Sequence, residues 1–355
     1  MKINEAGNII VTFLMQMGDL ALTTPFLHAL RRAAPQAKIS YLIDEKWLDI
    51  MSENPDLDEV LTVDRKGRDR GLPALWRRAA GLRRRPFDLL INLNPSERCS
   101  FLAAFSGAKY KAGAVHRLFS PFFDRPLRLD RSLHAADMYL DVLRRLGCPA
   151  ADGAGLKIIP PPAGEERAAA FFAASGIADG DKLAGFNVGS ASAAKRWLPE
   201  RFAIVADHLA DKGFKIVFFG SAAELPIVEE AAARMKARPI VATGRLTVGA
   251  LAAAIRRMNI FITNDSGPMH LAVSQKVPLL AFYGPSKPEL YGPYKAEGAI
   301  VLRAEPICPG CRDRMKHQCP DMRCMTGITA ERAAAAADRL AARNGFYRRL
   351  EGKRK

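Results

Sequence analysis

The chain has 355 residues, 49% apolar and 25% charged, which is ordinary for a globular protein and long enough for two cores. No stretch approaches the ~18 consecutive apolar residues that cross a bilayer, which excludes a protein built on membrane-spanning helices. A net charge of +16 points to an anionic partner, whether nucleic acid, phosphorylated glycolipid or an acidic membrane face, and says nothing about fold.

In chain order, residues 9–14 form an apolar run that reads as a first buried strand. It is not a signal peptide, because Gly18-Asp19 follows and no small-residue cleavage site is evident, so the expected location is cytoplasmic. Residues 16–19 read as a loop. Thr24-Pro25 reads as an N-cap with Pro at the first helical position, and Phe26, Leu27, Leu30 and Ala33 recur at helical spacing until Pro35. Asp19 therefore stands just past the carboxyl end of a strand, where open α/β sheets place ligands. Taken alone it is equally a solvated loop carboxylate.

Residues 39–43 and 60–63 are the next strands, with a helical stretch at 47–51 between them. A basic loop at 65–70 leads to a helix at 72–85 that carries Arg77, Arg78, Arg83, Arg84 and Arg85. Such a face is either solvated or meets an anionic acceptor or membrane surface. Residues 87–93 are another strand. Ser96 then caps a helix that runs to 105 and closes at Gly107. Residues 117–131 are irregular, with four arginines, and a helix at 134–146 ends at Gly147.

The prolines of residues 159–164 mark a stiff linker and divide the chain into domains 1–162 and 163–355. The β/α alternation then restarts. A strand at 183–188 is followed by Gly189-Ser190-Ala191-Ser192-Ala193-Ala194-Lys195, small residues that let a ligand approach the backbone and a lysine that offers a point charge to phosphate. A plain surface loop has the same composition. After the strand at 215–219, Glu224 sits where a carboxylate can bind ribose hydroxyls or simply complement a helix dipole. The strand at 240–242 precedes Leu246, and a helix occupies 251–258.

Residues 260–262 form a buried strand broken by Asn264-Asp265-Ser266-Gly267, and Pro268 opens a helix through 275. A further strand covers 277–282. The helix end presents free N–H groups to a phosphate, Asp265 can accept a sugar or ribose hydroxyl, and His270 can donate to a phosphate oxygen. The alternative is that Asp265 and Ser266 only cap the helix. A terminal helix covers 329–349, with a frayed tail at 353–355.

Cys99 and Cys148 stand alone and read as small buried side chains. Cys308, Cys311, Cys319 and Cys324, with His317 among them, have a spacing compatible with zinc, with packed thiols or with disulfides. The second pair is spaced too loosely for a standard knuckle, and the adopted reading is thiols without metal.

Three stretches in this order resemble glycosyltransferase family 9, the ADP-heptose:lipopolysaccharide heptosyltransferases. They are Met17-Gly18-Asp19 with Thr24-Pro25-Phe26-Leu27; Lys195-Arg196-Trp197-Leu198-Pro199; and Asp265-Ser266-Gly267-Pro268-Met269-His270 with Phe282-Tyr283-Gly284-Pro285. The resemblance implies an α/β GT-B fold, two doubly wound Rossmann-like domains facing across a cleft, with residues 1–162 taking the acceptor and 163–355 the donor. It implies inverting, metal-independent transfer of heptose from an ADP-activated donor to the inner core of lipopolysaccharide, at the cytoplasmic face of the inner membrane. Asp19 would be the general base. Lys195, Ser190, Ser192 and the helix end at Ser266-Gly267 would stabilise the diphosphate leaving group. Glu224 would bind ribose and Leu246 adenine, alongside Asp265 and His270. No cofactor and no nucleic acid are expected as partners. One departure is Val188-Gly189, where the family commonly has Pro-Gly. The alternatives that stay open are a transferase using a different nucleoside-diphosphate sugar, a nucleotide-sugar epimerase or hydrolase, which needs no base at Asp19, and a basic nucleic-acid-binding protein, although no reader module is recognisable.

Overall fold

All strand pairs in the structure, a computed structural model that describes residues 2–148, 154–305, 319 and 321–346, are parallel. Parallel strands buried on both faces read as short continuous apolar runs, which is what the strands of this chain show. The chain divides into two compact units, Met1–Ile159 and Pro160–Lys355.

The first unit contains β1 (Asn8–Thr12), α1 (Met17–Ala21), α2 (Thr24–Ala33), β2 (Lys38–Asp44), β3 (Glu59–Val63), α3 (Leu72–Arg83), β4 (Leu89–Asn92), α4 (Glu97–Ala104), β5 (Tyr110–Ala114), β6 (Arg125–Leu127) and α5 (Ala135–Arg145). Its strand order is β3-β2-β1-β4-β5-β6. Chain direction across the sheet reverses between β1 and β4, the switch point where doubly wound folds bind ligands. One core layer joins Ile10, Leu42 and Leu90 of the sheet to Leu75, Leu82, Phe101 and Leu102 of α3 and α4.

The second unit contains α6 (Pro162–Ala174), β7 (Lys182–Asn187), α7 (Pro199–Ala210), β8 (Phe214–Phe219), α8 (Leu225–Ala232), β9 (Ile240–Val241), α9 (Val248–Arg256), β10 (Ile260–Asn264), α10 (Gly267–Ser274), β11 (Leu279–Phe282), α11 (Pro288–Tyr291), β12 (Ile300–Leu302), α12 (Arg323–Thr326) and α13 (Ala330–Arg343). The order β12-β11-β10-β7-β8-β9 is that of the first unit, with its switch point between β7 and β10. Trp197, Phe202 and Phe282 stack at its centre; the Trp197 and Phe282 rings lie 4.1 Å apart. Replacing a buried tryptophan by alanine costs about 3–5 kcal/mol, so Trp197 is a principal anchor of this core.

Several expectations are corrected. Residues 16–19 are not a plain loop: Leu20 N–H donates to the Gln16 carbonyl at 2.9 Å and α1 begins at Met17. Thr24 does not cap its helix. It lies within α2, its hydroxyl donates to the Ala21 carbonyl at 2.8 Å, and it accepts from Lys157 N–H at 3.0 Å. The proline segment at 159–164 is only partly a linker, because Pro162 begins α6. Gly164 is there for packing: a Cβ on it would lie 2.8 Å from the Gly249 carbonyl carbon of α9. The irregular stretch at 117–131 contains a 3-10 turn, Arg117–Phe122, and the edge strand β6. Cys148 is half-buried, not buried, whereas Cys99 is fully enclosed. Cys308, Cys311, His317 and the residues 353–355 lie outside the described residues, as does the end of the expected terminal helix beyond 346. Among the described residues no helix is long and apolar enough to cross a membrane.

Candidate active site

At the switch point of the second unit, β7 and β10 end side by side in Asn187 and Thr263-Asn264. The Asn264 amide donates to the Val188 carbonyl at 2.7 Å, and its oxygen accepts from Trp197 N–H at 2.9 Å. One side chain thus fixes both ends of the loop at 188–197. Trp197 locks the same loop from below, its indole donating to the Ile328 carbonyl at 2.9 Å. Lys195, two residues earlier, is held by this anchor and reaches Asp265 at 2.6 Å. Ser286 also donates to Asp265, and the Ser190 hydroxyl donates to the Asp265 carbonyl at 3.4 Å. The Asp265 carboxylate is 6% exposed and the Lys195 side chain 33%, so a buried aspartate holds the amine of a partly exposed lysine.

The head of α10 settles the capping alternative. Ser266 occupies the N-cap position but makes no side-chain cap; its hydroxyl donates to the Asn187 oxygen at 2.8 Å and lies 3.2 Å from Thr263 Oγ1. Pro268 has no N–H and Met269 N–H bonds the Ser266 carbonyl at 3.2 Å, so Gly267 is the residue through which the first turn can offer a donor at the positive end of the helix. Gly267 is half-exposed there, and His270 is buried one turn further in. Tyr283, beside Asp265, is fully buried; burial above all, and then the Asp265 charge, push its phenol far above the usual range. It stays a donor, to the Tyr291 carbonyl at 2.8 Å.

Glu224 accepts from both the N–H and the hydroxyl of Ser221 at 2.8 Å, a reciprocal cap that fixes the carboxylate at the end of β8. Gly189 makes room for it: a Cβ there would stand 1.9 Å from Glu224 Oε1. Gly244, at φ +74°, turns the chain after β9 so that its N–H meets the Gly220 carbonyl at 2.9 Å. Leu246 follows, half-buried, just before the Thr247 cap of α9. The second unit therefore gathers Ser190, Lys195, Glu224, Asp265 and Ser266 on the carboxyl edge of one sheet, with Ser192 and Leu246 on adjoining loops of that edge.

Asp19 lies in the first turn of α1, directly after β1, half-buried. The loop before it is laced down by the segments that follow β2 and β3. Arg65 donates to the Leu14 carbonyl at 3.0 Å, Trp47 to the Met15 carbonyl at 3.0 Å, and Lys46 to the Gln16 side chain at 3.2 Å. Burial, with Arg65 and Lys66 adding to it against Asp44, holds the Lys46 amine below the usual lysine range. Sequence reasoning missed Lys46, Arg65 as a loop clamp, Ser286, and the asparagines Asn187 and Asn264. A polar residue at or just past a parallel strand's carboxyl end was the available signal. Among the described residues no three His, Cys, Asp or Glu side chains form a metal-binding group.

Two doubly wound parallel sheets, one with a lysine, a carboxylate and a helix head at its switch point, define an α/β fold of the kind that binds ligands at the carboxyl ends of its strands. A model of glycosyltransferase family 9 (heptosyltransferase) matches residues 75–319, well over half of the chain, and the protein belongs to that family. The chain is 43% identical to a glycosyl transferase family 9 from Veillonella parvula, whose crystal structure superposes with a TM-score of 0.89 over 97% of this chain and 98% of that one. It is 25% identical over 294 residues to the lipopolysaccharide core heptosyltransferase OpsX of Haemophilus influenzae, covering 81% of this chain and 82% of the relative. The structure of Escherichia coli ADP-heptose lps heptosyltransferase II shares the fold, with 21% identity, a TM-score of 0.79, and coverage of 95% and 99%. The chain is thus a glycosyltransferase of the GT-B class.

Proposed function

We propose that the protein transfers heptose from an ADP-activated donor to the inner core of lipopolysaccharide, Kdo-bearing lipid A or its heptosylated form, with inversion and without a metal ion. Residues 163–355 would hold the donor and residues 1–162 the acceptor. The lysine–aspartate pair at the β7/β10 switch point carries the reading. Expelling a nucleoside diphosphate develops negative charge, and a fixed cation beside a helix N-terminus stabilises that charge without reorganising. Lys195, Ser190, Ser192 and the opening at Ser266-Gly267 face that task, with His270 one turn behind. Asp265 anchors Lys195 and accepts a sugar hydroxyl; Glu224 takes the ribose hydroxyls and Leu246 packs on adenine. Asp19 removes the proton of the attacking acceptor hydroxyl, and direct displacement inverts the anomeric centre. The acceptor carries several negative charges, which fits the basic segments around Asp19, and its lipid places the enzyme at the cytoplasmic face of the inner membrane as a peripheral protein.

The test is a thermal-shift panel with ADP, UDP, GDP and CMP, followed by transfer from ADP-heptose to Kdo-bearing lipid A. A nucleotide at 100 times its dissociation constant stabilises the fold by about 2.7 kcal/mol. Selective stabilisation by ADP and stoichiometric ADP release with acceptor are expected. A shift with UDP or GDP alone would discard ADP-heptose as donor, and donor turnover equal with and without acceptor would make the enzyme a hydrolase.

A further inference from the structure

Four of the large apolar side chains that the first unit exposes lie on α3 and on the 3-10 turn after β5. Leu72 is 69% exposed, Trp76 51%, Leu118 62% and Phe122 47%. Two of them belong to a continuous ring cluster: Trp76 lies 4.8 Å from Phe101 and 4.7 Å from Phe105, and Phe105 lies 5.2 Å from Phe122. Leu72 stands one turn before Trp76 on α3, and Leu118 shares the 3-10 turn with Phe122. Soluble proteins scatter exposed apolar residues singly; a contiguous patch marks an interaction surface. Its surroundings are basic. Arg77, Arg83, Arg84 and Arg117 are exposed and, among the described residues, take part in no ion pair. Two acids stand against these four arginines: Glu97, 3.8 Å from His116, and Asp124, which accepts from Lys111 N–H at 2.8 Å.

We propose that this Leu72–Trp76–Leu118–Phe122 patch is the face by which the protein docks on an anionic lipid bilayer. The inference rests on the membrane-bound acceptor of the proposed function and names the surface that reaches it. Tryptophan, phenylalanine and leucine tips enter the head-group boundary while arginines meet anionic head groups, the composition of a peripheral membrane face. A second copy of this chain is the poorer occupant, because a net charge of +16 repels itself. Position agrees. Leu72 opens α3 after β3, α4 follows β4, and the 3-10 turn with Leu118 and Phe122 follows β5, so the patch starts from the sheet edge that carries Asp19. A glycolipid held in the bilayer would present its sugars to that edge.

Co-sedimentation of the full chain with vesicles of phosphatidylglycerol and phosphatidylethanolamine, against phosphatidylcholine alone, tests it. The wild type should partition onto the anionic vesicles, and brominated lipid should quench Trp76 but not the buried Trp197. Leu72→Ser with Leu118→Ser removes two exposed tips outside the packed rings and should lower partition about tenfold. Arg83→Glu with Arg84→Glu should lower it about as much, and more at low salt. In both variants the ADP-induced thermal shift and turnover of a water-soluble, delipidated acceptor should be unchanged. Equal vesicle binding by wild type and both variants would overturn the patch and leave the membrane reading standing. Wild type that ignores anionic vesicles would overturn both. A wild-type dimer dissolved by the leucine substitutions would make a second copy the occupant and overturn the proposal.

Discussion

The two switch points are built from the same pair of side chains in opposite order. In the first unit Thr12 of β1 stands in register with Asn92 of β4, and its hydroxyl donates to the asparagine oxygen at 2.7 Å. In the second, Asn187 of the first strand stands in register with Thr263 of the fourth, 3.5 Å apart. The consequences differ. Asn92 spends its amide on the Asn94 and Ala114 carbonyls, and Cys99 donates to its oxygen, so the network closes on itself under the strand ends. Asn187 turns its oxygen to Ser266 at the head of α10, and Asn264 sends its amide and its oxygen to the Lys195 loop. One network supports backbone. The other holds the Lys195 loop and the head of α10. Burial pushes the Cys99 thiol up to about 12, a further sign that the first network is structural and unreactive.

In the proposed function chemistry falls to Asp19 and donor binding to the β7/β10 side, and substitution should separate the two. Asp19→Ala should lower transfer about 10³-fold, as loss of a general base does, with ADP affinity within about twofold of wild type. Turnover that survives would move the base elsewhere. Lys195→Ala should weaken ADP binding about 10- to 100-fold and also cost about 2 kcal/mol of stability, because it strands a carboxylate that is 6% exposed. Adding Asp265→Asn should restore much of that stability and none of the affinity. Recovery of both would mean that the pair is structural only. Gly189→Ala is subtler. Its Cβ, 1.9 Å from Glu224 Oε1, must push the glutamate side chain off its Ser221 cap and meets no backbone, so stability should fall by about 1 kcal/mol while ADP affinity falls about fivefold to tenfold. Unchanged affinity would remove Glu224 from the ribose site.

What was legible in the sequence follows from how local each signal is. β10 and the head of α10 could be read because an apolar run, turn residues and a proline sit side by side in 260–268. The three motifs in order brought the family, and with it a fold that composition could not name. β5 escaped notice because Tyr110–Ala114 carries a lysine, two alanines and a glycine, whose φ of +108° brings it against the Asn92 carbonyl. β12 is three residues long, too short for periodicity to register. α6 was hidden by Pro160-Pro161-Pro162, which announce a linker and also the start of a helix. In the site, Asp265 read as a free hydroxyl acceptor. Its bonds to Lys195, 70 positions away, and to Ser286 are tertiary facts that no local pattern contains.

The smallest effect contrasts the edges of the two sheets. β9, the third strand of the second unit, is only Ile240–Val241, whereas its counterpart β3 begins with Glu59, held by Arg85 through bonds of 2.9 and 2.6 Å. The Arg85 bonds outweigh burial and keep the Glu59 carboxyl below its ordinary 4.5. A carboxyl depressed by folding adds stability that is complete above its unfolded value and is lost as pH falls through the folded one. Wild type should therefore exceed Glu59→Gln by at most about 1 kcal/mol at pH 7, the pair being partly exposed. The advantage should shrink below about pH 4.5 and vanish in stronger acid. Urea unfolding of both proteins across that range, followed by a probe in the first unit, measures it. A difference that stays constant into acid would mean that Glu59 contributes through packing on the edge strand and not through its charge.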